Sequence, residues 1–196
     1  MSTLSKNVTA KRIAALAATK SMFFHTADLA LLFGIRNPNT LRVTISRYLQ
    51  SGLLHRVHRG LYSFLPPQEL DPILLGSACL HRFSYLSTET VLMREGYILQ
   101  DIGTHTFVSS VSRRFSVLGQ RYVSRRLQER FLHHPAGITW QNGVLTASPL
   151  RALADLLFFD PWYHVDRPVP WGELRHLQQT IGYPLTPHRY VDSARA

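Results

Sequence analysis

The chain has 196 residues, 45% of them apolar and 17% charged, a balance that excludes a disordered polymer and allows a small domain followed by a medium one. No run of roughly 18 or more apolar residues occurs, which excludes a membrane-spanning helix, and the N-terminus lacks the charged, apolar, small-residue order of a signal peptide, so a cytoplasmic location is expected. The formal charge of +10 disfavours a basic partner and suits nucleic acid or another anionic surface.

Residues 6–20, KNVTAKRIAALAATK, are rich in alanine, and Ile13, Leu16 and Ala17 recur at helical spacing, predicting an amphipathic first helix. After Phe23 and Phe24, Thr26 is placed to cap a short helix ADLALLF. Asp28 is favourable in its first turn, and Gly34 can end it in the left-handed conformation. Asn37-Pro38 then restarts a helix, Asn as cap and Pro at the first helical position, and NTLRVTISRYLQS continues until Gly52.

Two helices joined by a short glycine-containing turn predict a helix-turn-helix, whose second helix enters the major groove. Leu41, Ile45, Tyr48 and Leu49 share one stripe and should pack inward. Asn39, Thr40, Arg42, Val43, Ser46, Arg47 and Gln50 are then left outward. That set suits DNA: Asn and Arg read base edges, the Thr or Val methyl meets thymine, and Ser or Arg holds phosphate.

LLHRVHRGLYSF follows, two alternating segments joined at His58-Arg59-Gly60, and reads as a hairpin. Directly after a recognition helix it is a wing, with Arg56, His58 and Arg59 expected at its tip and Tyr62 and Phe64 facing the core. Residues 1–64 carry nine Lys and Arg against one acid, Asp28, whereas the remaining thirteen bases are offset by eleven acids. The basic excess is therefore local to the segment expected to meet phosphate. Pro66-Pro67 ends the hairpin, which divides the chain into a winged helix-turn-helix at 1–66 and a second, mixed α+β domain at 67–196.

In the second domain residues 68–83 suggest a helix. SYLSTETVLMREG suggests another, capped near Ser84 or Ser87 and closed at Gly96. The period then changes to two: THTFVSS, RRFSVL and QRYVSRRL read as strands, the last two joined around Gly119, and Asn142-Gly143 sits at a tight turn within ITWQNGVLTA. Ser148-Pro149 opens the helix LRALADLLFF, with Leu150, Leu153, Ala154 and Leu157 on one face. From Tyr163 onward no clear period remains, apart from a last helix near 170–181. The fold class is α+β.

The segments LQSGLLHRVHRGLYSF, FSYLSTETVLMREGYI, THTFVSSVSRRFSVLGQRYVSRRL and TASPLRALADLLFF, in this order from about residue 10 to residue 160, resemble the AbiEi family, bacterial antitoxins of AbiE-type (type IV) abortive-infection systems. The resemblance implies an N-terminal winged helix that represses its own operon at inverted repeats. It also implies a C-terminal domain that counteracts a nucleotidyltransferase-like toxin without forming a stable complex with it. Such proteins are not generally described as enzymes, and this chain is expected to need no cofactor and to act on DNA as a monomer or a weak dimer, with cooperative binding as an option. Leu150 departs from the family pattern, in which an acid follows the proline, and the tail from Tyr163 has no counterpart in it.

Arg113, Arg114, Arg121, Arg125, Arg126 and Arg130 are offset only by Glu129 within one stretch. They form either a solvated face of a strand pair or a second basic surface that extends the DNA footprint or meets a tRNA, a toxin or another acidic partner. Strand alternation puts Arg121 and Arg125 on one side and Arg126 on the other.

The ten histidines do not have metal-ligand spacing: His133-His134 are adjacent, no HExxH occurs, and His55 and His58 have no Cys or carboxylate beside them. No metal site is expected. Cys79 reads as a small buried apolar residue. An alternative reading, a nuclease delivered to DNA, would draw on Glu89, Asp101 or Asp155, but the second domain has no lysine to complete a carboxylate-lysine cluster. Asp155 on a leucine-rich helix reads better as a structural hydrogen-bonding group. A further alternative is a stand-alone regulator without a toxin.

Overall fold

The computed structural model describes residues 3–19 and 21–187. Lys20, the last residue of the first expected helix, and residues 188–196 of the C-terminal tail lie outside the described residues. The chain divides into two compact units, the first ending at Asp71 and the second beginning at Pro72. The first thus runs past the Pro66-Pro67 break and includes a short 3-10 turn, Pro67–Glu69.

The first unit contains α1 (Thr3–Ala18), β1 (Phe23–His25), α2 (Thr26–Phe33), α3 (Pro38–Gln50), β2 (His55–His58) and β3 (Leu61–Ser63). Strand β3 lies between β1 and β2 and is antiparallel to both. Strand β1 was not expected, because three residues are too few to display alternation. Leu61, Tyr62 and Ser63 are all buried, so β3 has no solvent face. Phe64 lies past its end, half-buried, with its ring edge-on to Phe24 at 5.4 Å.

Leu16, Leu29, Phe33, Leu41, Ile45 and Tyr48 belong to one buried cluster, in which the Phe33 and Tyr48 rings meet at 88° and 5.6 Å. Of the residues expected inward on α1, Leu16 is buried and Ile13 half-buried, but Ala17 is exposed. The Arg12 guanidinium instead lies over the Phe33 ring at 5.4 Å, its aliphatic stem covering part of the apolar face.

The second unit contains α4 (Pro72–Leu80), β4 (Ser84–Leu86), α5 (Glu89–Arg94), β5 (His105–Ser109), β6 (Arg113–Val117), β7 (Gln120–Arg126), α6 (Glu129–Leu132), β8 (Ile138–Gln141), β9 (Val144–Ala147), α7 (Pro149–Phe159) and α8 (Trp171–Ile181). Its six-stranded sheet has the order β6-β7-β5-β4-β9-β8. The hairpins β6–β7 and β8–β9 and the pair β4–β5 are antiparallel, whereas β5–β7 and β4–β9 are parallel. The protein is therefore mixed α+β.

Two expected helices are corrected. The segment 68–83 is α-helical only from Pro72 to Leu80, after the 3-10 turn that ends at Glu69. Ser84-Tyr85-Leu86 is not the start of a helix but a wholly buried strand near the sheet centre. A short apolar run flanked by polar residues has no period that separates the two states; here pairing to β5 and β9 decides it.

Helix α4 covers one sheet face. Its Gly76 comes so close to the sheet that an added Cβ would lie 2.6 Å from the Tyr122 ring and 2.8 Å from Phe107. Tyr85 projects to the opposite face, since Leu86 pairs with Phe107 and Tyr85 with Val108. There it meets α7. Contrary to the single apolar face expected for that helix, Arg151 to Leu157 are all buried, while Leu150 is only half-buried.

Candidate nucleic-acid interface

Helix α3 is fixed at its start by Asn37, whose Oδ1 accepts the amides of Asn39 at 2.9 Å and Thr40 at 3.1 Å. Pro38, lacking a donor, occupies the first turn, where a backbone N–H would have no partner anyway. The helix buries Leu41, Ile45 and Tyr48, with Leu49 half-buried. The opposite face carries Asn39, Thr40, Arg42, Val43, Ser46 and Arg47, all exposed, with Gln50 beside them. Val43 is 49% exposed, an apolar group left in water among hydrogen-bonding ones. Among the described residues neither Arg42 nor Arg47 has an acidic partner.

The hairpin that follows turns at Arg59-Gly60, with Gly60 at φ 76°, a conformation that costs glycine little. Its Gly60 carbonyl accepts both the Thr26 amide at 2.9 Å and the Thr26 hydroxyl at 3.3 Å. Thr26 is accordingly not the cap of α2 but its first residue. The extended residue before it, His25, is the cap, and its amide is held by Asp28 Oδ2 at 2.8 Å. His58 and Arg59 are exposed at the turn. Arg56 is also exposed but is not at the tip; it sits within β2 opposite Tyr62, its guanidinium 5.9 Å from that ring, with a bulge before His58.

The arginines of the second unit do not share one surface. Pairing of Arg113 with Ser124 and of Arg114 with Val123 puts Arg114, Arg121 and Arg125 on one sheet face and Arg113 and Arg126 on the other. Several are already engaged. Arg121 donates to the carbonyls of Gly103 and Ile102, Arg113 to that of Cys79, and Arg125 is paired with Glu89. Arg130 lies over Phe131 at 4.4 Å. Arg114 and Arg126 are exposed.

The strongest polar feature of the second unit is one that sequence reasoning found only in part. Arg151 and Asp155 are both wholly buried. Arg151 donates to Asp155 at 2.9 Å, to the Tyr85 hydroxyl, and to the carbonyls of Phe131, His134 and Ala136. Asp155 also accepts from Ser87 and Tyr183, each at 2.7 Å. Burial, and next the Asp155 carboxylate, push the Tyr85 and Tyr183 hydroxyls well above the ordinary phenol range. Both stay protonated, Tyr183 donating to Asp155 and Tyr85 accepting from Arg151. The expected structural role of Asp155 agrees with these partners. Arg151 was passed over, although its four-residue offset from Asp155 on a helix signals an ion pair.

Among the described residues no group of three or more His, Cys, Asp or Glu is arranged to hold a metal ion, and no helix is long and apolar enough to cross a membrane. The chain matches no protein-family model and no curated protein. It is similar in structure to the RV2827C protein from Mycobacterium tuberculosis, known from a crystal structure, with a TM-score of 0.50 and 17% sequence identity over 91% of this chain and 68% of that one. At that identity the likeness is one of fold.

Proposed function

We propose that the first unit is a winged helix-turn-helix that binds duplex DNA, with α3 in the major groove and the β2–β3 hairpin as the wing. The observation that carries this reading is the outward face of α3. Asn39, Thr40, Arg42, Val43, Ser46 and Arg47 are all exposed, combining base-reading, methyl-contacting and phosphate-holding groups on one helix in the basic third of the chain. His58 and Arg59 at the hairpin turn supply backbone or minor-groove contacts.

On this reading the chain is a transcriptional autorepressor of the AbiE type, binding inverted repeats in its own promoter, and the antitoxin to a nucleotidyltransferase-like toxin that it does not hold in a stable complex. The antitoxin role is supported by the four family-like segments, three of which fall in the second unit. It is a regulator and not an enzyme, working in the cytoplasm without a cofactor. Arg114 and Arg126 are the exposed cations of the second unit's cluster that remain available to an acidic partner.

Footprinting on the chain's own promoter tests the DNA reading: protection of a repeated sequence supports it, and uniform weak protection contradicts it. Growth rescue on co-expression with an adjacent nucleotidyltransferase gene tests the antitoxin role. Failure of rescue by a protein that still binds its promoter leaves a stand-alone regulator.

A further inference from the structure

A cavity of about 420 Å³ opens on the sheet face that carries Arg114, Arg121 and Arg125, lined by Glu89, Thr104, Thr106, Ser112, Arg114 and Arg125 among others. Glu89 is only 4% exposed. One carboxylate oxygen, Oε1, is paired with Arg125, and the other, Oε2, has no hydrogen-bond partner. Buried carboxylate oxygens ordinarily have one, and an exception calls for a ligand or a functional reason. Arg114 is exposed and among the described residues nothing pairs with its guanidinium.

The residue that positions Glu89 is itself strained. Thr88 has φ 52° and ψ −134°, and its hydroxyl is buried without a partner. A β-branched side chain disfavours positive φ, and such strain gathers at binding sites. Thr106 supports the same corner: its hydroxyl donates to the Ser87 carbonyl at 2.7 Å and accepts the Thr90 amide at 3.0 Å.

We propose that this cavity binds a small ribose phosphate, free or as the ribose phosphate of a mononucleotide. The Glu89–Arg125 pair is neutral as a unit and Arg113, also in the lining, donates to the Cys79 carbonyl, so Arg114 is the lining cation left for a phosphate. The vacant Glu89 Oε2 accepts a hydroxyl, which a polyol offers. A plain anion brings no polyol to Glu89, and an uncharged sugar makes no use of Arg114. A ligand with a phosphate at one end and hydroxyls at the other uses both, and the cavity falls within the ordinary size range of small-ligand sites. The site lies wholly within the second unit and does not depend on DNA binding by the first.

Calorimetric titration of the full chain with ribose 5-phosphate, adenosine monophosphate and inorganic phosphate tests the proposal. Ribose 5-phosphate or the nucleotide should bind saturably and at least tenfold more tightly than phosphate. Glu89→Gln should remove that preference, and Arg114→Ala, at an exposed position that leaves the fold intact, should weaken binding at least tenfold. The proposal is overturned if neither ribose phosphate binds, if inorganic phosphate binds equally well, or if Arg114→Ala binds as the wild type does. Should Glu89→Gln fail to fold, the phosphate comparison and Arg114→Ala still decide.

Discussion

Thr26 donates both its amide and its hydroxyl to the carbonyl of Gly60, so the first turn of α2 and the turn of the β2–β3 hairpin are tied at one oxygen. The tie fixes the height at which His58 and Arg59 stand. Gly60 has φ 76°, and a Cβ there would also come to 3.4 Å from the Thr26 hydroxyl. Gly60→Ala is expected to destabilise the first unit by about 1–2 kcal/mol through the left-handed backbone. Thr26→Val, which keeps the amide bond and the shape, should cost about 1 kcal/mol. Urea denaturation of both variants measures this, and wild-type stability for Gly60→Ala contradicts it.

Arg151, wholly buried, ties five groups of the second unit together. Replacing it by Met leaves the Asp155 carboxylate buried without its counter-charge, and three carbonyls and the Tyr85 hydroxyl lose a donor. The expected cost is about 3–5 kcal/mol. Arg151→Met combined with Asp155→Leu removes the orphaned charge and should recover part of the loss. A loss below about 1 kcal/mol in the single variant would show that the network contributes little.

Cys79 is half-buried rather than fully buried, and burial, only partly offset by Arg113, pushes its thiol up to about 11. A raised thiol pKa means the neutral form persists through pH 7–9 and thiolate appears only as pH approaches 11. Alkylation by iodoacetamide at pH 8 should therefore run about a hundredfold slower than for free cysteine, since the thiolate is the nucleophile. Complete labelling of folded protein at the free-cysteine rate, read by mass spectrometry, contradicts this.

Arg42 and Arg59 should separate two kinds of DNA contact. Arg42→Ala is expected to weaken binding to the promoter repeat by about 1–3 kcal/mol and binding to unrelated duplex far less, as for a base-reading side chain. Arg59→Ala should weaken both alike, as for a phosphate contact. Neither position supports the hydrophobic cluster, so unchanged affinity in both variants would reject the groove assignment without a folding explanation.

Local chemistry made much of the first unit legible. Asn37-Pro38 and Gly60 impose a cap and a turn whatever surrounds them, and the spacing of Leu41, Ile45 and Tyr48 identifies the buried stripe of α3. Phe23–His25 was invisible, because its strand exists only through pairing with Leu61–Ser63, far along the chain. Ser84–Leu86 was misread for a related reason: its pairing with β5 and β9 is non-local. In the second unit the Asn142-Gly143 turn and the cap at Ser148 were readable. The partner of Arg125 was not, because Glu89 comes from another element and only the folded sheet brings the two together.

Titration of the full chain with its own promoter and with a scrambled duplex of equal length, repeated over a range of salt concentrations, tests the DNA-binding reading most directly. The promoter should bind more tightly at every salt concentration, and both affinities should fall with salt at a logarithmic slope of about 0.9 per neutralised phosphate. Equal affinity for the two duplexes, or binding insensitive to salt, would contradict it.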